Sequence, residues 1–343
     1  MDKFLKFFAM AIMTICLLFS VKLLINAESA DASCVLREGL KNREKSITVT
    51  CEPTEDIDSI INESLKHTGV STEGDYIKFH LMNDLTGRAA NGTDTIVEYR
   101  ISPRYLSTYE QELELTNKLN EFYSSLNLNE MNSYEKLKAI YDYICDNVAY
   151  GYQNNSAYSA LVNGSSSCRG YALLFYRMAL DLGFDARIVS GRVVGGSYDN
   201  YHEWNIVKIG SKWYNVDVNF GDNTESQMGG QAKYTYFLKG SNGIFKDGYG
   251  SYVPAHVRDA VYDNDVFNNE YPMSTTDYNK NTVEPENPTE DTTEESEVTT
   301  EVEEDTTEDN TNTTTTYPIK ITGKFIYIIK RSILKICKIK WGE

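Results

Sequence analysis

The chain has 343 residues, 41% of them hydrophobic, and a formal net charge of −17. This length allows one or two ordinary domains. Much of the negative charge is concentrated at 284–309, which carries thirteen carboxylates and no lysine or arginine. Most of the net negative charge therefore lies in a C-terminal segment and does not indicate an acidic binding surface. Since the central region has no basic surface pattern either, nucleic acid is excluded as a partner.

The first 27 residues are predicted to form a secretory signal peptide. Lys3 and Lys6 precede an uncharged apolar run, Phe7 to Val21, and small residues follow from Ala27. This run of about 15 residues is shorter than the roughly 20 that a membrane-spanning helix needs. We expect cleavage and export, so that the protein is secreted or held at the cell surface. The alternative is an uncleaved membrane anchor.

Export would place the remaining cysteines where disulfides persist. Five cysteines remain once Cys16 has left with the signal, and an odd number leaves at least one thiol unpaired. A bridge between Cys34 and Cys51 is one pairing that the sequence leaves open. No two cysteines have metal-ligand spacing, so we predict no metal site and no cofactor.

Residues 34–132 are predicted to form an N-terminal α+β module. Helical spacing of apolar residues and runs of β-branched and aromatic residues predict a helix at 56–66, strands at 75–82 and 95–101, and a helix at 112–126. The segment 87–94 contains Asn91-Gly92 and is predicted to turn.

Residues 133–265 are predicted to form a second domain. Asn132 and Glu135 match the N-cap and N3 positions of a helix that continues to Val148. A second helix is predicted from Ser167 to Leu182, and strands are predicted at 187–194, 204–209, 213–218 and 234–238. Because helices precede antiparallel strands, with little βαβ alternation, the predicted fold class is α+β.

The C-terminal part is predicted to lack a core. Threonine and acidic residues dominate 271–316, which we interpret as a disordered linker. Residues 317–343 carry seven basic residues and one acid, and Phe325, Ile329 and Ile333 share one side of a helix. This pattern predicts a basic amphipathic tail at an anionic membrane surface or a cell-wall polymer. The alternative is a disordered tail that meets the acidic segment.

Three residues of the second domain form a candidate catalytic set. Cys168 lies at the predicted start of a helix, where free N–H groups and the helix dipole favour a thiolate. His202 and Asp217 follow on two strands of a predicted hairpin. A thiol, an imidazole and a carboxylate can act as nucleophile, base and orienting group. Cys145 and His256 are interpreted as structural residues.

The segments around these residues resemble the transglutaminase-like superfamily. The resemblance lies in Tyr158 to Gly164, Cys168-Arg169-Gly170-Tyr171-Ala172, Val189-Ser190-Gly191, His202-Glu203-Trp204-Asn205 and Trp213-Tyr214-Asn215-Val216-Asp217. It covers roughly residues 134–240. It implies a papain-like core, in which the cysteine begins a helix packed on an antiparallel sheet that carries the histidine and the aspartate.

The resulting hypothesis is a secreted thiol enzyme that acts on protein or peptide substrates. The resemblance implies a thioester at Cys168, which water would hydrolyse or an amine would convert to a new amide. We favour peptidase-like hydrolysis because it needs only access of water. The alternatives are protein-glutamine transamidation and a non-catalytic surface module that keeps the fold.

Overall fold

The computed structural model describes residues 31–152, 155–195, 198–222, 234–248 and 254–281. The predicted signal peptide, the linker beyond residue 281 and the basic tail lie outside the described residues. Within the described ranges, no helix combines the length and the apolar character that crossing a bilayer requires.

The first part of the described chain combines a small sheet with helices. Its elements are α1 (Ala32–Lys41), β1 (Ile47–Cys51), α2 (Ile57–Ser64), α3 (Asp75–His80), β2 (Gly87–Gly92), β3 (Val97–Ile101) and α4 (Tyr109–Ser125). The strands are antiparallel in the order β1-β3-β2. Alternate residues of β1 are buried, and Ile47 and Val49 pack with Leu36 and Leu40 of α1. This period of two is the pattern of a sheet with one covered face.

The second part is built on a four-stranded antiparallel sheet. Its elements are α5 (Ser133–Asn147), β4 (Ala149–Tyr150), α6 (Ala157–Leu161), β5 (Ser165–Ser166), α7 (Cys168–Asp181), β6 (Ala186–Gly195), β7 (Tyr198–Ile209), β8 (Lys212–Val216), α8 (Val218–Asp222), α9 (Ile244–Asp247), β9 (Ala255–Arg258) and α10 (Asp265–Glu270). The sheet order is β8-β7-β6-β9, and α7 packs against β6 and β7. The predicted α+β class is confirmed.

Helix α7 is the central element, and its residues from Gly170 to Leu180 are all buried. Asn205 of β7 ties it to the sheet, because its Nδ2 donates to the carbonyl oxygens of Ala172 (3.0 Å) and Arg187 (3.3 Å). A Cβ on Gly170 would lie 1.8 Å from the Ser166 Oγ, so only glycine allows this approach. The start of α7 is therefore held on both sides.

A second glycine lets β9 close onto β6. A Cβ on Gly191 would lie 2.0 Å from the carbonyl oxygen of Val257 and 2.9 Å from the ring of Trp204. Gly191 faces His202 on β7 and Arg258 on β9. Because Gly191 has no side chain, β9 can pack closely on β6, the strand next to the one that carries His202.

The two parts of the described chain are joined by a buried ion pair. The Asp75 carboxylate of α3 accepts from Arg187 Nε (2.7 Å) and Nη2 (3.0 Å) and from the backbone N–H of Ile188 (2.9 Å). Tyr76 and Leu115 from the first part belong to the same buried cluster as α7 and the large sheet. The N-terminal segment is thus packed directly on strand β6.

Three local predictions are wrong. Residues 75–82, predicted as a strand, contain helix α3, in which Tyr76, Ile77 and Phe79 are all buried. Residues 234–238, predicted as a strand, form turns in which Leu238 has φ 51°, outside the strand region. The predicted turn at 87–94 is mostly strand β2, which pairs with β3 through an irregular register.

Two further features bear on the sequence analysis. Cys34 and Cys51 are both free thiols, so the bridge left open by the sequence is not formed. Residues 271–281, which begin the predicted linker, pack on the large sheet: Tyr271 is buried, and Met273 bridges to Trp213 in a parallel arrangement.

Candidate active site

Cys168 is the first residue of α7 and is partly exposed. The preceding Ser167 has extended backbone angles, and its Oγ donates to Asn155 Oδ1 (2.5 Å) instead of capping the helix. The first turn is instead closed by the Ser167 carbonyl oxygen, which accepts from the backbone N–H of Gly170 (3.0 Å) and Tyr171 (3.3 Å). Burial, with a smaller contribution from the charge of Cys168, raises the pKa of Tyr150 to about 12.

His202 lies on β7 with its ring buried between aromatic side chains. Its Nε2 is 2.7 Å from the Asp217 Oδ2. The Cys168 side chain is close enough to contribute, after Asp217, to the raised pKa of this imidazole. Since Nε2 serves Asp217, Nδ1 is the ring nitrogen that can exchange a proton with the thiol. The ring of Trp204 lies nearly parallel to His202 (17°), and the ring of Phe220 meets it edge-on at 4.8 Å.

Asp217 joins the end of β8 to the start of α8 and is buried. One carboxylate oxygen, Oδ1, accepts from the backbone N–H of Phe220 (3.1 Å). The other, Oδ2, accepts from His202 and also from His256 Nε2 (2.9 Å). The carboxylate is thus held by three donors, two of them imidazoles.

The three ionisable side chains of this cluster have pKa values shifted from their usual ranges. Burial alone would lower the pKa of His202, but the Asp217 carboxylate and Cys168 raise it to about 10. Burial opposes ionisation of Asp217, yet His202 and the hydrogen bond from His256 hold its pKa well below its usual range. At His256 burial dominates and lowers the pKa. A charged His202–Asp217 pair beside a neutral His256 follows at neutral pH.

An ion pair connects the residues that follow Cys168 and His202. Arg169 donates through Nε (2.9 Å) and Nη2 (2.7 Å) to the two carboxylate oxygens of Glu203. The Glu203 side chain is only 1% exposed, and Tyr201 donates its hydroxyl to the same carboxylate (3.3 Å). This two-pronged contact fixes the start of α7 against β7, and with it the separation of thiol and imidazole.

The structure therefore brings Cys168, His202 and Asp217 together. It also adds His256, which the sequence analysis treated as structural. The sequence offered no signal for this position, because β9 has only four residues, directly follows Pro254 and was not predicted as a strand.

His202, Asp217 and His256 are the described residues whose ligand atoms are close enough to bind a metal ion, within 4.8 Å of one another. Both imidazoles point at the same carboxylate oxygen, at 2.7 and 2.9 Å. These separations are those of charge-assisted hydrogen bonds. We therefore interpret the cluster as a hydrogen-bonded unit rather than a chelating one.

Residues 121–218 match the sequence model of the Transglutaminase-like superfamily, Transglut_core. Among solved structures, a candidate cysteine protease from Cytophaga hutchinsonii is 17% identical, with a TM-score of 0.27, over 41% of this chain and 66% of that one. A protein described as a TGase is 16% identical, with a TM-score of 0.30, over 57% of this chain and 60% of that one. The chain thus spans less than two thirds of the length of either structure. No curated protein matches the sequence.

The matched region contains the start of α7, strand β7 and the end of β8, which carry Cys168, His202 and Asp217. The resemblance inferred from the sequence motifs is thereby confirmed: residues 121–218 match the model of the transglutaminase-like superfamily, which includes thiol enzymes.

Proposed function

We propose that this protein is a thiol enzyme that cleaves peptide or amide bonds through a thioester at Cys168. The observation that carries the proposal is the position of His202, whose Nε2 lies 2.7 Å from the Asp217 Oδ2 and whose pKa is also raised by the Cys168 side chain. Covalent acyl transfer requires a nucleophile, a base and an orienting group next to one another.

In the first half-reaction, the Cys168 thiolate attacks the carbonyl carbon and a carbon–sulfur bond forms. The carbon–nitrogen bond then breaks, and the leaving amine takes its proton from the His202 imidazolium. Asp217 stabilises that imidazolium and keeps the ring oriented. The backbone N–H of Cys168, at the start of α7, donates to the oxyanion that develops on the carbonyl oxygen.

In the second half-reaction, water gives a proton to His202 and its oxygen bonds to the thioester carbon. The carbon–sulfur bond breaks, so that a carboxylic acid leaves and the thiolate–imidazolium pair is restored. We favour hydrolysis because Cys168 is partly exposed and water has access to the thioester. An amine in place of water would give a new amide, which is the transamidation alternative.

We further propose that the enzyme works outside the cell on protein or peptide substrates, and that residues 317–343 bind an anionic membrane or wall surface. The basic amphipathic pattern of this tail supports the proposal. Co-sedimentation with anionic vesicles should require residues 317–343. Equal binding with and without them, or no binding in either case, would leave this surface role without support.

Active-site labelling tests the proposed chemistry. An iodoacetamide probe at neutral pH should label Cys168 much faster than the other cysteines, as read by mass spectrometry of the peptides. Cys168→Ala should abolish this fast labelling, whereas Cys145→Ala, a matched change at another cysteine of the same core, should leave it intact. Slow labelling at Cys168, equal to that of an ordinary thiol, would favour the non-catalytic surface module.

The acceptor is tested with a peptide mixture in ¹⁸O-labelled water, with and without an added primary amine. Hydrolysis predicts new carboxyl groups that contain ¹⁸O and depend on Cys168. Transamidation predicts peptides whose mass is increased by the amine. Neither product, in spite of fast labelling of Cys168, would reject the proposed turnover.

A further inference from the structure

His256 lies on the edge strand of the large sheet, opposite Val193 of β6. Two strands separate this edge from β8, after which Asp217 follows. The imidazole nevertheless reaches the Asp217 carboxylate, since β9 closes tightly onto β6 at Gly191 and the Nε2 of His256 comes to 2.9 Å from Oδ2. A long-range feature of the fold thus provides the second imidazole.

The ring of His256 is held in one orientation by aromatic neighbours. Phe245 stacks on it at 4.2 Å with an interplanar angle of 28°, and Trp204 meets it nearly at right angles at 5.1 Å. Tyr236 packs at 4.9 Å and donates its own hydroxyl to the carbonyl oxygen of Pro254 (2.9 Å). A ring enclosed in this way has little freedom to rotate away from Asp217.

We propose that His256 is a positioning residue of this site, whose Nε2–H holds the Asp217 carboxylate in the orientation that pairs with His202. The inference rests on the proposed thiol chemistry, because it assigns a role to His256 only through Asp217 and His202. A carboxylate accepts hydrogen bonds but cannot donate them when ionised, so its contact with His256 requires a proton on Nε2. Burial lowers the pKa of His256, so the ring is neutral and this single tautomer suffices.

The contact also moderates the basicity of His202. Both imidazoles donate to the same oxygen of Asp217, so the donor on His256 reduces the negative charge that His202 experiences. Without it the carboxylate would hold the His202 proton more tightly. The imidazolium would then be a poorer acid towards the leaving amine, and acylation would slow.

Among the described residues, three further ionisable groups are placed near this unit. Cys168 of α7 approaches His202, Tyr141 of α5 experiences the charge of Asp217, and Tyr236 packs on the ring of His256. Burial raises the pKa of Tyr141 well above its usual range, so it stays neutral wherever His202 titrates. A change in the titration of His202 on substitution of His256 therefore reports the hydrogen bond itself.

Histidine NMR on the full chain tests the proposal directly, because the chain has only four histidines. In ¹⁵N-labelled protein His256 should be the neutral Nε2–H tautomer, and His202 should be protonated at both nitrogens at neutral pH. His256→Phe keeps an aromatic ring but removes the donor, whereas His256→Gln places an amide N–H near the position of Nε2. We expect the His202 titration to move to higher pH in His256→Phe and to match the wild type in His256→Gln.

Turnover should follow the same pattern: His256→Phe should lower kcat/KM about tenfold, the effect of one lost hydrogen bond to a charged group, and His256→Gln should restore most of it. An unmoved His202 titration in His256→Phe, or an equal change in His256→Gln, would overturn the proposal. So would an Nδ1–H tautomer of His256 in the wild type, a result that needs no variant to fold. The expected NMR shifts in a protein without any turnover would reject the proposed reaction but not this hydrogen bond.

Discussion

The described chain contains two buried carboxylates that each meet a histidine, and only one of them belongs to a candidate active site. Glu112 of α4 accepts from the hydroxyl groups of Tyr76 (2.8 Å) and Ser107 (2.5 Å). His80 Nε2 lies 3.4 Å from the same carboxylate, and Arg43 Nη2 lies 3.5 Å from it. Asp217 also accepts from several donors, yet the pKa of its partner His202 is raised, whereas the pKa of His80 is lowered.

The two histidines, His80 and His202, differ in their other neighbours and in the direction of their pKa shifts. His80 directs its Nδ1–H to the backbone carbonyl of Tyr76 (2.9 Å), and burial, aided by the charge of Arg43, lowers its pKa. The pKa of His202 is instead raised, mainly by the Asp217 carboxylate and to a smaller extent by the Cys168 thiol. A buried histidine–carboxylate pair is therefore not a sign of catalysis by itself. A partly exposed nucleophile beside the imidazole makes the distinction.

The strongest test of this comparison replaces each of the two carboxylates, Asp217 and Glu112, with the corresponding amide. Asp217→Asn should lower turnover by about 10⁴-fold without loss of fold, because the amide no longer holds the imidazole in the required tautomer. Product formation per folded molecule is the measurement, with circular dichroism as the check of folding. Full activity in Asp217→Asn, or a loss explained by unfolding, would contradict the orienting role.

Glu112→Gln, the matched change, should act on stability instead. Arg43 would remain buried without its carboxylate, and breaking a buried pair in this way typically costs about 3 to 5 kcal/mol. The midpoint of urea unfolding should fall accordingly, whereas turnover per folded molecule should stay at the wild-type value. A loss of turnover comparable to that of Asp217→Asn would remove the distinction between the two pairs.

The pH dependence of Cys168 alkylation sharpens the role of the imidazole. The raised pKa of His202, about 10, means that the imidazolium is present at neutral pH and is lost only as the pH rises towards 10. Reactivity towards iodoacetamide should therefore already be high near pH 7 and change again near pH 10. In His202→Gln the rate at pH 7 should fall more than tenfold, since an ordinary cysteine is only a few per cent thiolate there. Equal pH profiles for the two proteins would contradict the pairing.

The same pKa sets the sign of a stability effect. A histidine whose pKa is raised on folding stabilises the fold fully below its unfolded value of about 6.5, and this contribution is lost as the pH rises through the folded value. Wild type should therefore lose stability relative to His202→Gln between about pH 6.5 and 10. Parallel curves of unfolding free energy against pH would show that the imidazolium does not contribute to stability.

The smallest effect is expected at the contact between Arg169 and Glu203. Arg169→Lys keeps the charge but loses the two-pronged geometry, so the start of α7 is held less firmly and turnover should fall about three- to tenfold. Arg177→Lys, the same change nearer the other end of α7, should leave turnover per folded molecule unaltered. Equal effects of the two substitutions would indicate general loosening of the helix rather than alignment of Cys168.

Local chemistry explains which parts of the fold could be predicted from the sequence. The capping box of Asn132 and Glu135 forms as expected, with both hydrogen bonds at 3.0 Å. Helix α7 begins one residue after the predicted start, and the turn at Gly210 joins β7 to β8. These features depend on neighbouring residues, so a single sequence is sufficient to predict them.

The parts that could not be predicted depend on distant residues. Tyr76, Ile77 and Phe79 favour a strand by their side chains, but these residues form a helix whose first residue, Asp75, is hydrogen-bonded to Ile188 of β6. His256 has no neighbour in sequence that marks it, and its contact with Asp217 exists only because β9 joins the edge of the sheet. The sequence was sufficient to predict Cys168, His202 and Asp217 as candidate site residues because each lies in a recognisable motif. His256 lies in no such motif.

The ion pair between Asp75 and Arg187 bears on where this domain could be separated from the rest of the chain. The family match begins at residue 121, yet strand β6 inside the match takes its partner from residue 75. A fragment cut at the family boundary would keep every motif and still leave the Arg187 guanidinium, which is largely buried, without its carboxylate. The region that matches the family is therefore smaller than the region whose side chains are packed together. Transfer of residues 121–218 alone to another protein would move Cys168, His202 and Asp217 but leave out Asp75, the partner of Arg187.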